Sequence, residues 1–118
     1  MLKISEKQLD VFTKDRLRAV ARKLADRTIE RHPKACAGRG LKEIASELEP
    51  DIAFAHGEGF QSMRMLERYA DLCATLGVGF GAREGWVRDI LSLQDLSPAT
   101  KLDQIEETAV FVLLARGR

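Results

Sequence analysis

Apolar and small residues recur along this chain at intervals of three and four, and the spacing predicts helices from one end to the other. The first stripe is Leu9, Phe12, Leu17, Val20, Leu24 and Thr28, which leaves Lys14, Arg16, Arg18, Arg22, Lys23 and Arg27 toward solvent. Ser5 followed by Gln8 has the form of a capping box: the hydroxyl satisfies an orphan amide and the glutamine side chain reaches back. A helix is expected to start there. Pro33 disfavours helical geometry at His32 and ends it near Arg31, so the first helix is long, about seven turns, and heavily charged.

His32 to Gly40, with Pro33, Gly38 and Gly40, reads as a connector. Leu41, Ile44, Ala45, Leu48, Ile52 and Ala55 then keep helical period, with Pro50 expected to kink this second helix or to restart it. The stretch from Ala55 to Gly59 stops it. A third helix runs from Gln61 or Ser62 to Leu76, burying Met65, Leu66, Tyr69, Leu72, Cys73 and Leu76, and ends at Gly77. A short fourth helix, from Glu84 to Leu93, carries Trp86, Val87, Ile90 and Leu91. Ser97 before Pro98 is a strong start signal for the last, which turns Leu102, Ile105, Ala109, Val112 and Leu113 inward and Glu106 and Glu107 outward. Nothing alternates with period two over a useful length. The predicted fold is all-α: one bundle of four to five helices, a single domain over residues 1–118, with a long charged N-terminal helix.

Composition agrees with one compact domain: 118 residues, 45% hydrophobic and 31% charged. The longest apolar run, Ala109 to Ala115, is far short of the roughly 20 residues that a membrane span needs. The charged start, from Met1 to Gln8, has no apolar core or cleavage site of a secretory signal, which makes the cytoplasm the expected compartment. Cys36 and Cys73 are accordingly expected as reduced thiols.

The net charge of +1 hides a segregation. Residues 14–42 carry ten bases against three acids, and residues 43–58 carry five acids and no lysine or arginine. If the two elements are antiparallel neighbours, the blocks supply weak surface ion pairs, each worth about 0 to 1 kcal/mol. If the basic face is open, it meets an acidic partner surface, where complementary fields speed encounter and reject wrong partners. Nucleic acid or another anionic surface is the alternative partner, although a pI of 7.8 and a single aromatic beside the bases, Phe12, fit a dedicated binder poorly.

Reaction chemistry is sparse. His32, Cys36, His56 and Cys73 carry zinc-compatible side chains, but they are scattered over three elements without the tight pairs of a structural site, so no metal or cofactor is expected. The glycine-rich stretch from Gly77 to Gly81 lacks both the lysine of a phosphate loop and a preceding strand; Phe80 is expected to be a plug between helices. No Gly-x-Ser-x-Gly is present, and Glu106 and Glu107 diverge around a helix. The chain is therefore expected not to be an enzyme. Phe60, Met63 and Met65 form a soft apolar cluster that suits core or contact surface, and Trp86 suits either a core anchor or a hot spot.

Several features together resemble a group of small helical bacterial proteins encoded beside type VI secretion spike and effector components. They are the start Ile4-Ser5-Glu6-Lys7-Gln8, the long charged helix ending at His32-Pro33, and the segment Tyr69, Leu72, Leu76-Gly77 and Phe80. Trp86, Ile90-Leu91 and the helix carrying Leu102 complete the match. Where that group has an aromatic before the proline, this chain has His32. The resemblance implies an accessory role: an adaptor or chaperone holding an effector or spike protein, or an immunity partner. Arg16, Arg18, Arg22, Lys23 and Arg27 on the first helix, with Trp86, are the candidate partner-binding residues. Self-association stays open, because a bundle this small can leave an apolar stripe uncovered.

Overall fold

The structure, a computed structural model, describes residues 14–117. Among them are six helices and no strand: α1 (Lys14–Arg31), α2 (Leu41–Gly57), α3 (Met63–Leu76), α4 (Phe80–Arg83), α5 (Gly85–Leu91) and α6 (Pro98–Arg116). The all-α fold is as the apolar spacing predicts. The expected capping box at Ser5 and the positions of Leu9 and Phe12 lie outside the described residues. The helix beyond the expected four or five is α4, a single turn inside the glycine-rich stretch.

Local chemistry sets most of the boundaries. Ser62 and Ser97 cap α3 and α6, accepting the amides of Met65 and Thr100 at 3.1 and 3.2 Å. Gly77 ends α3 as expected. Pro50 neither splits nor restarts α2, which runs unbroken from Leu41 to Gly57. The carbonyl four residues before it, on Ser46, loses its helical donor, but Ser46 and Pro50 both face solvent, where water replaces the missing bond.

The core is where all six helices converge. Leu24 of α1, Ile52 of α2, Leu66 of α3, Val87 of α5 and Leu102 and Ile105 of α6 are fully enclosed, together with Phe60, Tyr69 and Phe80. Tyr69 is the hub: its ring stacks on Phe80 at 4.7 Å between centroids and meets Phe60 at 5.9 Å. Phe80 is thus the plug that the sequence suggests. The cluster expected at the start of α3 divides, for Phe60 is core, Met65 is half-buried and Met63 reaches solvent.

Charge organises the flanks differently from the blocks in the sequence. Arg39 pairs with Glu47, joining the basic block to the acidic one. The C-terminal turns of α1 reach α3 instead: Arg27 bonds Glu67 at 2.8 Å, Arg31 bonds Asp71 at 2.7 Å, and His32 meets Asp71 at 3.1 Å. Because both partners advance by four residues, α1 and α3 lie side by side in the same direction. On the other flank of α3, Arg68 grips Glu106 and Asp103 of α6 at 2.5 and 2.6 Å. Glu106 is therefore half-buried and paired, where outward placement was expected; Glu107 is exposed.

Candidate functional site

The six residues proposed for partner contact fall on separate surfaces. At 100° per residue, Arg16, Lys23 and Arg27 share one flank of α1, and Arg18 and Arg22 lie at least roughly 100° away on the other. Asp15, Asp26 and Glu30 occupy the solvent face between them. Arg27 is bound to Glu67, while Arg18, Arg22 and Lys23 are exposed. Interleaved acids break the continuous positive track that a phosphate backbone would follow.

Trp86 belongs to a different region. It lies on α5, half-buried against the core, and its indole N–H donates to Glu84 at 3.1 Å. Glu84 also accepts Arg116, from the end of α6, at 2.7 Å. The hydrogen bond and charge of Arg116, helped by the indole N–H, hold the Glu84 carboxyl below its ordinary range despite burial. Helix α5 packs on α4 and α6, whereas α1 packs chiefly on α2 and α3.

The glycine-rich loop is occupied from within. Gly79 takes φ +79, the left-handed region that favours glycine, and its N–H points at the carboxylate of Asp51 at 2.9 and 3.1 Å. The amide that a bound phosphate would use already holds an internal anion. Asp51 also accepts the Cys73 thiol at 3.5 Å. Burial first, and then the Asp51 charge, push the Cys73 thiol well above its ordinary value, which keeps it protonated and a poor nucleophile.

Cys36 and Cys73 line one cleft of about 310 Å³, walled by Ile44, Leu48 and Val78 with Arg39 and Glu47 among its lining residues. His32 lines a different groove, between α3 and α6. Among the described residues no group of three or more histidine, cysteine, aspartate or glutamate side chains is placed to hold a metal ion. No described helix is long and apolar enough to cross a membrane.

The outlying surface feature is the end of α6. Phe111 is 72% exposed, Leu114 64% and Val110 55%, contiguous along the C-terminal half of the helix. Val110 continues into the α3/α6 groove of about 230 Å³, whose other walls include Leu72, Ala109 and Leu113. Sequence reasoning passed over these three side chains although the signal was present. From Ala109 to Ala115 every residue is apolar, which is wider than one helical stripe, so part of the run has to face outward.

A scan against protein-family models finds no match, and neither a search of curated proteins nor one of solved structures finds a matching relative. The functional reading rests on the chain's own geometry.

Proposed function

We propose that this chain is a non-catalytic protein-binding module that presents the C-terminal half of α6 to another protein. The observation that carries the proposal is the exposure of Phe111, Leu114 and Val110 side by side. Burying an exposed Phe or Leu side chain is worth about 1.5–3 kcal/mol, and an aromatic beside a concave apolar groove has the form of an interface hot spot. Glu107, one turn before Phe111 on the same face of α6, borders the patch as a polar rim does. The partner is a protein segment with an apolar ridge, seated on Phe111 and Leu114 and entering the groove beside Val110. Arg18, Arg22 and Lys23 steer encounter with it without forming its centre.

The likeness of the apolar pattern to proteins encoded beside secretion spike and effector components supports a narrower form of this reading. In that form the partner is an effector or spike protein, held by an adaptor or chaperone or countered by an immunity protein.

The test is affinity capture from the source cell with the natural chain and with the double variant Phe111→Glu/Leu114→Glu, followed by titration of the captured protein against each in purified form. The natural chain is expected to hold one stoichiometric protein, and the variant to bind it at least about tenfold more weakly with an unchanged helical spectrum. Reversal of Arg18, Arg22 and Lys23 is expected to slow association only. Equal affinity of the purified partner for the natural chain and the double variant would overturn the assignment.

A further inference from the structure

A cleft of about 320 Å³ opens between the C-terminal end of α2 and the short helices α4 and α5, away from the basic helix. Phe54, Ala82 and Leu91 give it apolar walls, and Gly81 is part of its lining. Two groups of opposite charge also line it: Glu58, just past the end of α2, and Arg88, in the middle of α5. Arg27, Arg31, Arg68 and Arg116 all end on carboxylates. Glu58 and Arg88, by contrast, form no ion pair with each other or with another described residue. Paired charges on an apolar cleft that do not neutralise each other leave both ends of a dipolar ligand unmet.

Behind this cleft lies a second unmet group. Tyr69 is fully buried, and among the described residues its hydroxyl is the only buried side-chain nitrogen or oxygen without a hydrogen-bond partner. It is aimed at the cleft lining: a Cβ on Gly81 would collide with that hydroxyl and would stand 2.6 Å from the Phe54 ring. Glycine at 81 thus lets the phenol approach the cleft, with the half-buried Phe54 ring beside it. Buried polar groups are normally satisfied, so the core directly behind Gly81 keeps one hydroxyl that no described residue serves.

We propose that this cleft binds a small apolar zwitterion, of the class of a free aliphatic or aromatic amino acid, with its ammonium on Glu58, its carboxylate on Arg88 and its side chain against Phe54 and Leu91. The planar guanidinium of Arg88 suits bidentate capture of a carboxylate. The volume is that of a small-molecule site, with predominantly apolar walls and a few polar groups that fix orientation. This inference does not rest on the α6 surface, and the two can fail separately.

The experiment titrates the intact chain with L-phenylalanine and L-leucine up to about 10 mM, following amide chemical shifts and the fluorescence of Trp86. Saturable shifts confined to Phe54, Glu58, Gly81, Arg88 and their neighbours are expected. 3-Phenylpropionate, which lacks the ammonium, and phenethylamine, which lacks the carboxylate, are expected to bind at least about tenfold more weakly. Glu58→Gln and Arg88→Gln change groups that hold no other element in place, so both variants are expected to keep the native helical spectrum and to lose binding. No saturable shift, shifts centred elsewhere, or full binding by the Glu58→Gln/Arg88→Gln double variant would overturn the proposal.

Discussion

Asp51 receives the backbone N–H of Gly79 between its two carboxylate oxygens, at 2.9 and 3.1 Å, and so ties the middle of α2 to the turn between α3 and α4. Gly79 is the cap residue of α4, and it has no side chain of its own to satisfy the helix start. A carboxylate 28 residues earlier in the chain holds the amide of this cap residue itself and so fixes where the helix begins. The same turn delivers Phe80 onto Tyr69, so one partly buried hydrogen bond helps to fix the centre of the aromatic core.

Asp51→Ala is therefore expected to destabilise the fold by about 2–3 kcal/mol, because it removes a charge-assisted bond and orphans a half-buried amide. Asp51→Asn keeps one acceptor and is expected to lose less. Urea denaturation of the three proteins reads both values. A loss below about 0.5 kcal/mol for the alanine variant would mean that the turn does not depend on Asp51.

Tyr69→Phe removes the hydroxyl that has no partner and leaves the stacked ring in place. An unsatisfied buried hydroxyl carries a desolvation cost, so this substitution is expected to raise stability by about 1 kcal/mol in urea denaturation. Tyr69 is the only tyrosine, and burial pushes its hydroxyl far above the ordinary phenol value, with the charges of Asp51 and Glu58 adding to the shift. In an alkaline absorbance titration the phenolate is expected to appear together with unfolding and not before. Phenolate forming near the ordinary phenol value in the folded chain would contradict the buried placement.

The fold was legible because its strongest determinants are local. Helical period, Ser62 and Ser97 at caps, Pro98 at a first turn and Gly77 at a stop each act within a few residues of where they stand. The short α4 was missed because Gly77, Gly79 and Gly81 read as loop, and the bond that anchors its cap residue comes from Asp51, a distant residue that no local pattern reveals. Charge blocks misled in the same way. Contiguous bases suggest one face, but a period of 3.6 residues distributes Arg18 and Arg22 to one side of α1 and Arg16, Lys23 and Arg27 to the other. Glu67 and Asp71, which receive Arg27 and Arg31, sit in a stretch whose charges nearly balance, and only the packing of α1 beside α3 selects them. Phe111 and Leu114 were legible in principle, as an apolar run too wide for a single buried stripe.

Cys73 is expected to resist thiol reagents in the native chain. It is buried, it donates to Asp51, and burial with that neighbouring carboxylate keeps its thiol protonated at alkaline pH. Mass-resolved alkylation at about pH 8 is expected to leave Cys73 unmodified until urea unfolds the chain. Asp51→Asn removes the repelling charge, so Cys73 should then react faster than in the natural protein while the fold is retained. Rapid labelling of Cys73 in the folded natural chain would contradict the buried thiol.

Glu84 gives the fold a specific dependence on acid. Arg116, and then Trp86, favour its charged form, so its folded value lies below the ordinary carboxylate value that it regains on unfolding. A group lowered in this way contributes stability that is complete above the ordinary value and is lost as pH falls through the folded one. Arg116→Gln removes the principal cause. The variant is expected to melt below the natural chain at neutral pH, and the gap in Tm is expected to narrow as pH falls below the ordinary carboxylate value and through the lowered folded value of Glu84. The Trp86 indole donates to the same carboxylate, so its fluorescence is expected to change over that acid range in the natural chain. A Tm gap that stays constant from neutral to acid pH would show that Arg116 supports the end of α6 by packing alone and that its charge on Glu84 contributes nothing.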